Sequence, residues 1–217
     1  MTGPFNAEHP QGIVLASASP RRRQLLASVG IPFTTVVSHV PEDERPGETA
    51  DQHVRRLSLA KAREVAEQSG VAGRWFIGSD TVVVRDGTIL GKPADAAEAA
   101  AMLRSLSGRS HQVLSGYAVL DRQTGRHIEA AVSTTVRFKA LTEQEIQGYI
   151  ASGEPFDKAG AYAIQGLGAF MIPAIEGSYT NVVGLPLCEI IAALEELGAH
   201  QLFDASRQVT TNDNCSA

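Results

Sequence analysis

The amino-acid sequence predicts an α/β protein with strands and helices mixed along one chain, and three observations carry that expectation. Ile13 to Ala16 form a short apolar run that Ser17 to Ser19 interrupt and Pro20 follows, the order of a strand, a small-residue loop and a helix start. Val54, Leu57 and Val65 recur at helical spacing between Asp51 and Gln68. Asp86-Gly87, the dipeptide preferred in a two-residue type I′ hairpin, stands between the apolar runs at Val82 to Val84 and Ile89-Leu90.

Taken in order, the first of these elements already poses a chemical question. A helix starting at Pro20 directs unpaired N–H groups and partial positive charge outward, and Arg21 to Arg23 add full positive charges at that same end. Cations there oppose the dipole unless an anion such as phosphate sits on them. Consecutive helical residues point ~100° apart, so a solvated arginine face is the alternative, and Arg21 and Arg22 are the candidate ligands. Val29 to Pro32 read as a turn and Phe33 to Val37 as a second strand. Ser38 to Thr49 is a loop carrying Glu42, Asp43, Glu44 and Glu48, either solvated surface or a source of carboxylate oxygens for a hard divalent cation that also binds phosphate.

In the helix from Asp51 to Gln68, Lys61 falls in the middle of the apolar face, where an ammonium is normally excluded. It either snorkels to water along its own stem or lines a cleft and meets an anion. Trp75 to Ile77 and Val82 to Val84 read as strand-like parts separated by Gly78-Ser79-Asp80-Thr81. Period-two alternation puts Asp80 on the face of Val82 and Val84, a carboxylate in a buried pattern, suited to a general base or else bonded to its own backbone. Pairing Arg85 with Thr88 carries Lys92 to a position opposite Thr81, and Gly91 and Pro93 make that strand end irregular.

Asp95 with Glu98 forms a capping box for a helix through Leu106. Gln112 to Leu120 and Ile128 to Phe138 read as long strands joined around Thr124-Gly125, and Thr142 with Glu145 caps a helix that Pro155 prevents from continuing past Gly153. Asp157 to Leu187 is crowded with glycine, which suggests backbone running close to something flat or to another backbone. Gln165 is a lone amide in that apolar stretch, able to donate and accept at the edge of a nucleobase or to satisfy nearby backbone. Leu187 to Leu197 is a last amphipathic helix with Gly198 just past its end.

Composition narrows the function. The chain has 217 residues, 43% of them hydrophobic and 20% charged, with a net charge of -5, enough for one large domain or two lobes sharing a sheet. An acidic balance argues against a nucleic-acid duplex as partner and leaves the local arginine cluster as a small-anion site. The only cysteines, Cys188 and Cys215, make neither a disulfide framework nor a zinc spacing, which fits a reducing cytoplasm. No apolar run is long enough to cross a bilayer. Residues 1–12 read as a loose N-terminal extension, 13–198 as a single domain and 199–217 as a C-terminal tail.

Five blocks, LASASPRRRQLL, GSDTVVV with GKP downstream, LSGRSHQVLSG, EPFDKAGAYAIQG and GSYTNVVGLPL, occur in this order and resemble the Maf family of nucleoside triphosphate pyrophosphatases from about Ile13 to Gly198. The resemblance implies an α/β fold with an elongated mixed sheet flanked by helices and two lobes around a central cleft, similar in architecture to inosine triphosphate pyrophosphatases. DKAGAYAIQG looks like the subgroup that hydrolyses dTTP and UTP, rather than the 7-methyl-GTP subgroup. Carried over by position, Asp80 matches the family's proton acceptor, Arg21, Thr81 and Gln165 match its specificity positions, and Ser17, Arg22, Glu42, Lys61 and Lys92 match polar residues of its cleft. Ser79 stands where close relatives often have alanine.

What the resemblance implies is a catalytic set of Asp80, Lys61 and Lys92, substrate binding by Ser17, Arg21, Arg22, Thr81 and Gln165, and a Mg²⁺ or Mn²⁺ ion held by Glu42 and Asp80. The expected partner is a nucleoside triphosphate, in a cytoplasmic homodimer that engages neither membrane nor nucleic-acid duplex. Two other readings stay open: a pyrophosphatase of different base preference, and a nucleotide-binding regulator of septum formation.

Overall fold

The computed structural model describes residues 12–202, so most of the expected N-terminal extension, most of the expected tail and Cys215 lie outside the described residues. Seven strands form one mixed sheet: β1 (Ile13–Ala16), β2 (Phe33–Val36), β3 (Trp75–Arg85), β4 (Thr88–Leu90), β5 (Ser110–Asp121), β6 (His127–Arg137) and β7 (Ala174–Glu176). The order is β2-β1-β3-β5-β6-β7, with β4 on β3; β1 runs parallel to β2 and β3, and every other pairing is antiparallel. Six α-helices flank it: α1 (Pro20–Ser28), α2 (Ala50–Glu67), α3 (Ala96–Leu106), α4 (Glu143–Ala151), α5 (Tyr179–Val183) and α6 (Leu187–Glu196).

Alternation along the strands decides which helix covers which face. Ile13, Leu15, Trp75 and Ile77 pack with Leu26, Ile190 and Leu194 of α1 and α6, whereas Val14, Ala16 and Phe76 pack with Ala62 and Val65 of α2 on the other side. At the far end of the sheet Val83, Val113 and Val136 pack with Leu103 and Leu106 of α3 and Ile146 of α4. These separate cores give two lobes. The lobes meet along β3.

One edge of β3 pairs with β5 from Trp75 to Val84 without interruption. The opposite edge is shared: β1 pairs with residues 75–78 and β4 with residues 83–85, so residues 79–82 face no strand there among the described residues. The two strand-like parts expected around Gly-Ser-Asp-Thr are therefore one strand, because β5 continues past the break that composition suggested. Gly78 and Gly116 let α2 lie directly on the sheet; a Cβ at Gly78 would stand 2.0 Å from the Ser58 carbonyl oxygen, and one at Gly116 would stand 2.1 Å from that of Val54.

The local signals read well. Asp86 and Gly87 have φ of 50° and 80°, as a type I′ turn requires. The Thr142–Glu145 capping box is complete. For α3 the box is half made: Asp95 accepts from the Glu98 N–H, but Glu98 turns back to the Ala94 N–H instead of that of Asp95. Helix α2 begins one residue earlier than expected, because Thr49, read as loop, forms a capping box with Gln52. The glycine-rich stretch from Asp157 to Leu187 is built of short elements: two 3₁₀ segments (Ala159–Ala161 and Gly166–Met171), strand β7 and helix α5, with another 3₁₀ segment (Glu154–Asp157) leading into it.

Candidate active site

A cavity of about 340 Å³ opens where β3 lacks a strand neighbour, between the end of β1 and the end of β4. Ser17, Arg21, Arg22, Glu42, Lys61, Asp80, Thr81, Lys92 and Gln165 all line it, so every residue expected at the site reaches one cavity. The topology explains the convergence. β1 delivers the Ser17–Ser19 loop and the start of α1, β3 supplies Asp80 and Thr81, α2 supplies Lys61, and the segment after β4 supplies Lys92.

Asp80 and Lys61 face each other across the α2–β3 contact. Both are buried, and the Lys61 Nζ donates to Asp80 Oδ1 at 2.7 Å and to Glu42 Oε1 at 2.5 Å. Of the two outcomes open for Lys61, snorkelling loses: its charge stays inside and is compensated by two carboxylates. The Glu42 side chain is half-exposed. Burial pushes its pKa up, but the Lys61 hydrogen bond and the charges of Lys61, Lys92 and Arg22 outweigh this and hold it below the usual carboxylate range.

Arg22 is engaged by the protein. Its Nε donates to the Gly184 carbonyl oxygen at 2.7 Å, Nη1 to the Ser79 carbonyl oxygen at 2.7 Å and to Ser17 Oγ at 3.4 Å, and Nη2 to Thr81 Oγ1 at 3.0 Å. With four hydrogen bonds on a five-donor fork, Arg22 ties the β1–α1 loop to β3 and to the turn after α5. Burial lowers its pKa, and the charges of Asp80 and Glu42 partly offset that. Thr81 Oγ1 is also hydrogen-bonded to Ser115 Oγ at 2.8 Å. The buried Ser79 hydroxyl donates to the Gly116 carbonyl oxygen at 2.9 Å and is satisfied there.

Arg21, Lys92 and Gln165 differ from Arg22. All three line the cavity, and among the described residues none of their side chains has a hydrogen bond or ion pair within the protein. Two free cations and a free amide are what a ligand would find. Gln165 stands at the start of the 3₁₀ segment from Gly166 without capping it.

Asp157, Lys158 and Tyr162 also line the cavity and were not singled out as site residues. The signal was available only as the EPFDKAGAYAIQG block, since a charged Asp-Lys pair reads as ordinary surface. Burial raises the Asp157 pKa, but the Lys158 hydrogen bond and the charges of Lys158 and Arg21 bring it below its ordinary value. Tyr162 is backed by a buried histidine, with its hydroxyl 2.6 Å from His111 Nε2.

The donor set also bears on metal binding. No group of three or more His, Cys, Asp or Glu residues able to hold a metal occurs among the described residues. Glu42 and Asp80 do share the cavity, and two hard carboxylates suit a Mg²⁺-like ion that takes its remaining ligands from phosphate and water.

The chain is similar to known proteins over most of its length. The chain is 69% identical over 209 residues to the dTTP/UTP pyrophosphatase of Syntrophotalea carbinolica, an alignment covering 95% of each chain. It is 56% identical to the dTTP/UTP pyrophosphatase of Geotalea uraniireducens, over 86% of this chain and 95% of that one. It is 54% identical to that of Geobacter sulfurreducens, over 86% and 97%. The model of the family described as Maf-like protein matches residues 12–197, and with it the chain belongs to the Maf family.

Proposed function

We propose that this protein hydrolyses dTTP and UTP between the α and β phosphates, giving the nucleoside monophosphate and pyrophosphate. The observation that carries the reading is the meeting of a buried carboxylate, Asp80, with the cations Arg21, Lys61 and Lys92 in one cavity, in a chain that shares 69% identity with a dTTP/UTP pyrophosphatase.

In this reading Asp80 takes a proton from the water that attacks the anhydride, and the phosphorus–oxygen bond to the pyrophosphate breaks. The Lys61 ammonium donates to Asp80 and holds it in one orientation. Arg21 and Lys92, free of protein partners, bind phosphate oxygens and stabilise charge gathering on the leaving group. Arg22 shapes the phosphate side of the cavity through Ser17, Ser79 and Gly184. Gln165 meets the polar edge of uracil or thymine, with Thr81 near it. A Mg²⁺ or Mn²⁺ ion bound through Glu42 and Asp80 would neutralise phosphate charge.

Among the described residues no helix is long and apolar enough to cross a membrane, which suits the proposed cytoplasmic site of action. A homodimer belongs to the same proposal.

The decisive experiment measures pyrophosphate release from dTTP, UTP, CTP and GTP with and without Mg²⁺ or Mn²⁺, for the wild type and for Asp80→Asn. The wild type should prefer dTTP and UTP, and the variant should stay folded and bind nucleotide with turnover reduced by about 10³-fold or more. Undiminished turnover in Asp80→Asn would remove Asp80 from the mechanism. Binding without pyrophosphate release by the wild type would favour a regulatory protein instead.

A further inference from the structure

The part of the cavity that carries Gln165 is held from outside it. Residues Ala163 to Gly168 make a tight turn, with Gly166 at φ +71° and Gly168 packed so closely that a Cβ would stand 2.4 Å from the Ala163 carbonyl oxygen. Glu154, in the first 3₁₀ segment, receives the Leu167 N–H on Oε1 at 3.0 Å and the Gly168 N–H on Oε2 at 3.4 Å. A Cβ on Gly166 would lie 2.5 Å from that same Oε1, so the carboxylate fits against bare backbone. On the other side of Gln165 the Tyr149 hydroxyl accepts the Ala163 N–H at 3.3 Å. The turn is thus fixed at both ends, and Gln165, whose side chain makes no hydrogen bond among the described residues, lies between them.

Glu154 also connects this turn to other residues that line the cavity. Its carbonyl oxygen accepts from Lys158 Nζ at 3.3 Å, and Lys158 and Asp157 line the cavity, whereas Glu154 itself does not.

We propose that Glu154 is a positioning residue for base selection, its carboxylate fixing the Gly166 turn so that Gln165 is presented to the base at one depth and angle. The proposal rests on the reading of Gln165 as the base-contacting amide. An amide that must donate and accept to one base edge discriminates only while its position is fixed, because a mobile turn lets it adapt to the wrong edge.

The test is a double-mutant cycle on the full chain, reading kcat/KM for dTTP and CTP in Glu154→Ala, Gln165→Ala and the double variant, with Glu154→Gln as the conservative change. Each single alanine variant should lower the dTTP-to-CTP ratio about 10-fold, and the double variant no further than Gln165→Ala alone. Glu154→Gln keeps one acceptor oxygen for the Leu167 N–H and should recover part of the ratio. If Gln165→Ala reduces the ratio and Glu154→Ala leaves it intact, or if the two losses multiply, the positioning role is refuted while the reading of Gln165 survives. If Gln165→Ala leaves the ratio unchanged, the reading of Gln165 fails and takes this proposal with it. Should Glu154→Ala not fold, a reduced ratio in Glu154→Gln supports the role and an unchanged one opposes it.

Discussion

Adding one methyl group at Gly78 should uncouple Lys61 from Asp80, the pair proposed to be catalytic, without touching either residue. The Cβ would begin 2.0 Å from the Ser58 carbonyl oxygen, and reaching ordinary contact near 3.4 Å demands that α2 lift by about 1.4 Å. Lys61 lies three residues beyond Ser58, less than one helical turn, so it moves with the helix. Its 2.7 Å hydrogen bond to Asp80 would then stretch toward 4 Å, beyond useful length. Overpacking of this kind costs about 2–3 kcal/mol, or about 5–10 °C in Tm for a domain this size. A displacement of that order at the reacting group should reduce kcat about 100-fold. Thermal unfolding and steady-state kinetics with dTTP would measure both, with Gly148→Ala as a control because nothing lies within 4 Å of a Cβ there. A Gly78→Ala protein that melts with the wild type and turns over at its rate would refute the claim that α2 rests directly on the sheet at this point.

Arg22→Lys should lower stability by about 2 kcal/mol and reduce activity through kcat, since an ammonium cannot serve the Gly184, Ser79 and Thr81 acceptors together. An unchanged Tm with only KM raised would instead mark Arg22 as a phosphate ligand. Burial depresses the His111 pKa from 6.5 to about 4, so between those values the unfolded chain binds the proton that the native one refuses. Stability from this group is therefore complete above about pH 6.5 and lost on acidification, by about 2 kcal/mol at pH 5. Urea unfolding at pH 7.5 and 5 should show His111→Gln losing less over that interval than the wild type; equal losses would contradict the assignment.

How far the sequence carried depended on the range of the interactions. The β1–α1 unit and the Asp86-Gly87 hairpin were legible because Pro20, Ser19 and a pair of positive-φ residues specify them locally. Lys61 and Asp80 stood out as charges in apolar patterns, yet their pairing was not legible, because they belong to a helix and a strand whose contact is decided by the fold. Arg22 is a sharper case. Three consecutive arginines look equivalent, and what commits Arg22 is a carbonyl 162 residues away. The continuity of β3 was hidden by its polar centre and is imposed by β5. In the glycine-rich stretch the elements are three to six residues long and are held by distant side chains such as Glu154, which leave no periodicity to read.

The unshared stretch of β3 has a further consequence. Two strands approach the same border from opposite directions and both halt early, one at Ala16 and the other at Leu90, and the space they leave is the one the cavity occupies. Chain economy at those two points matters as much as any charged group: in the observed registers, carrying β1 on by two residues would set Ala18 beside Asp80 and take Ser17 out of the loop that starts α1, and carrying β4 on by two would fix Lys92 in the ladder beside Thr81.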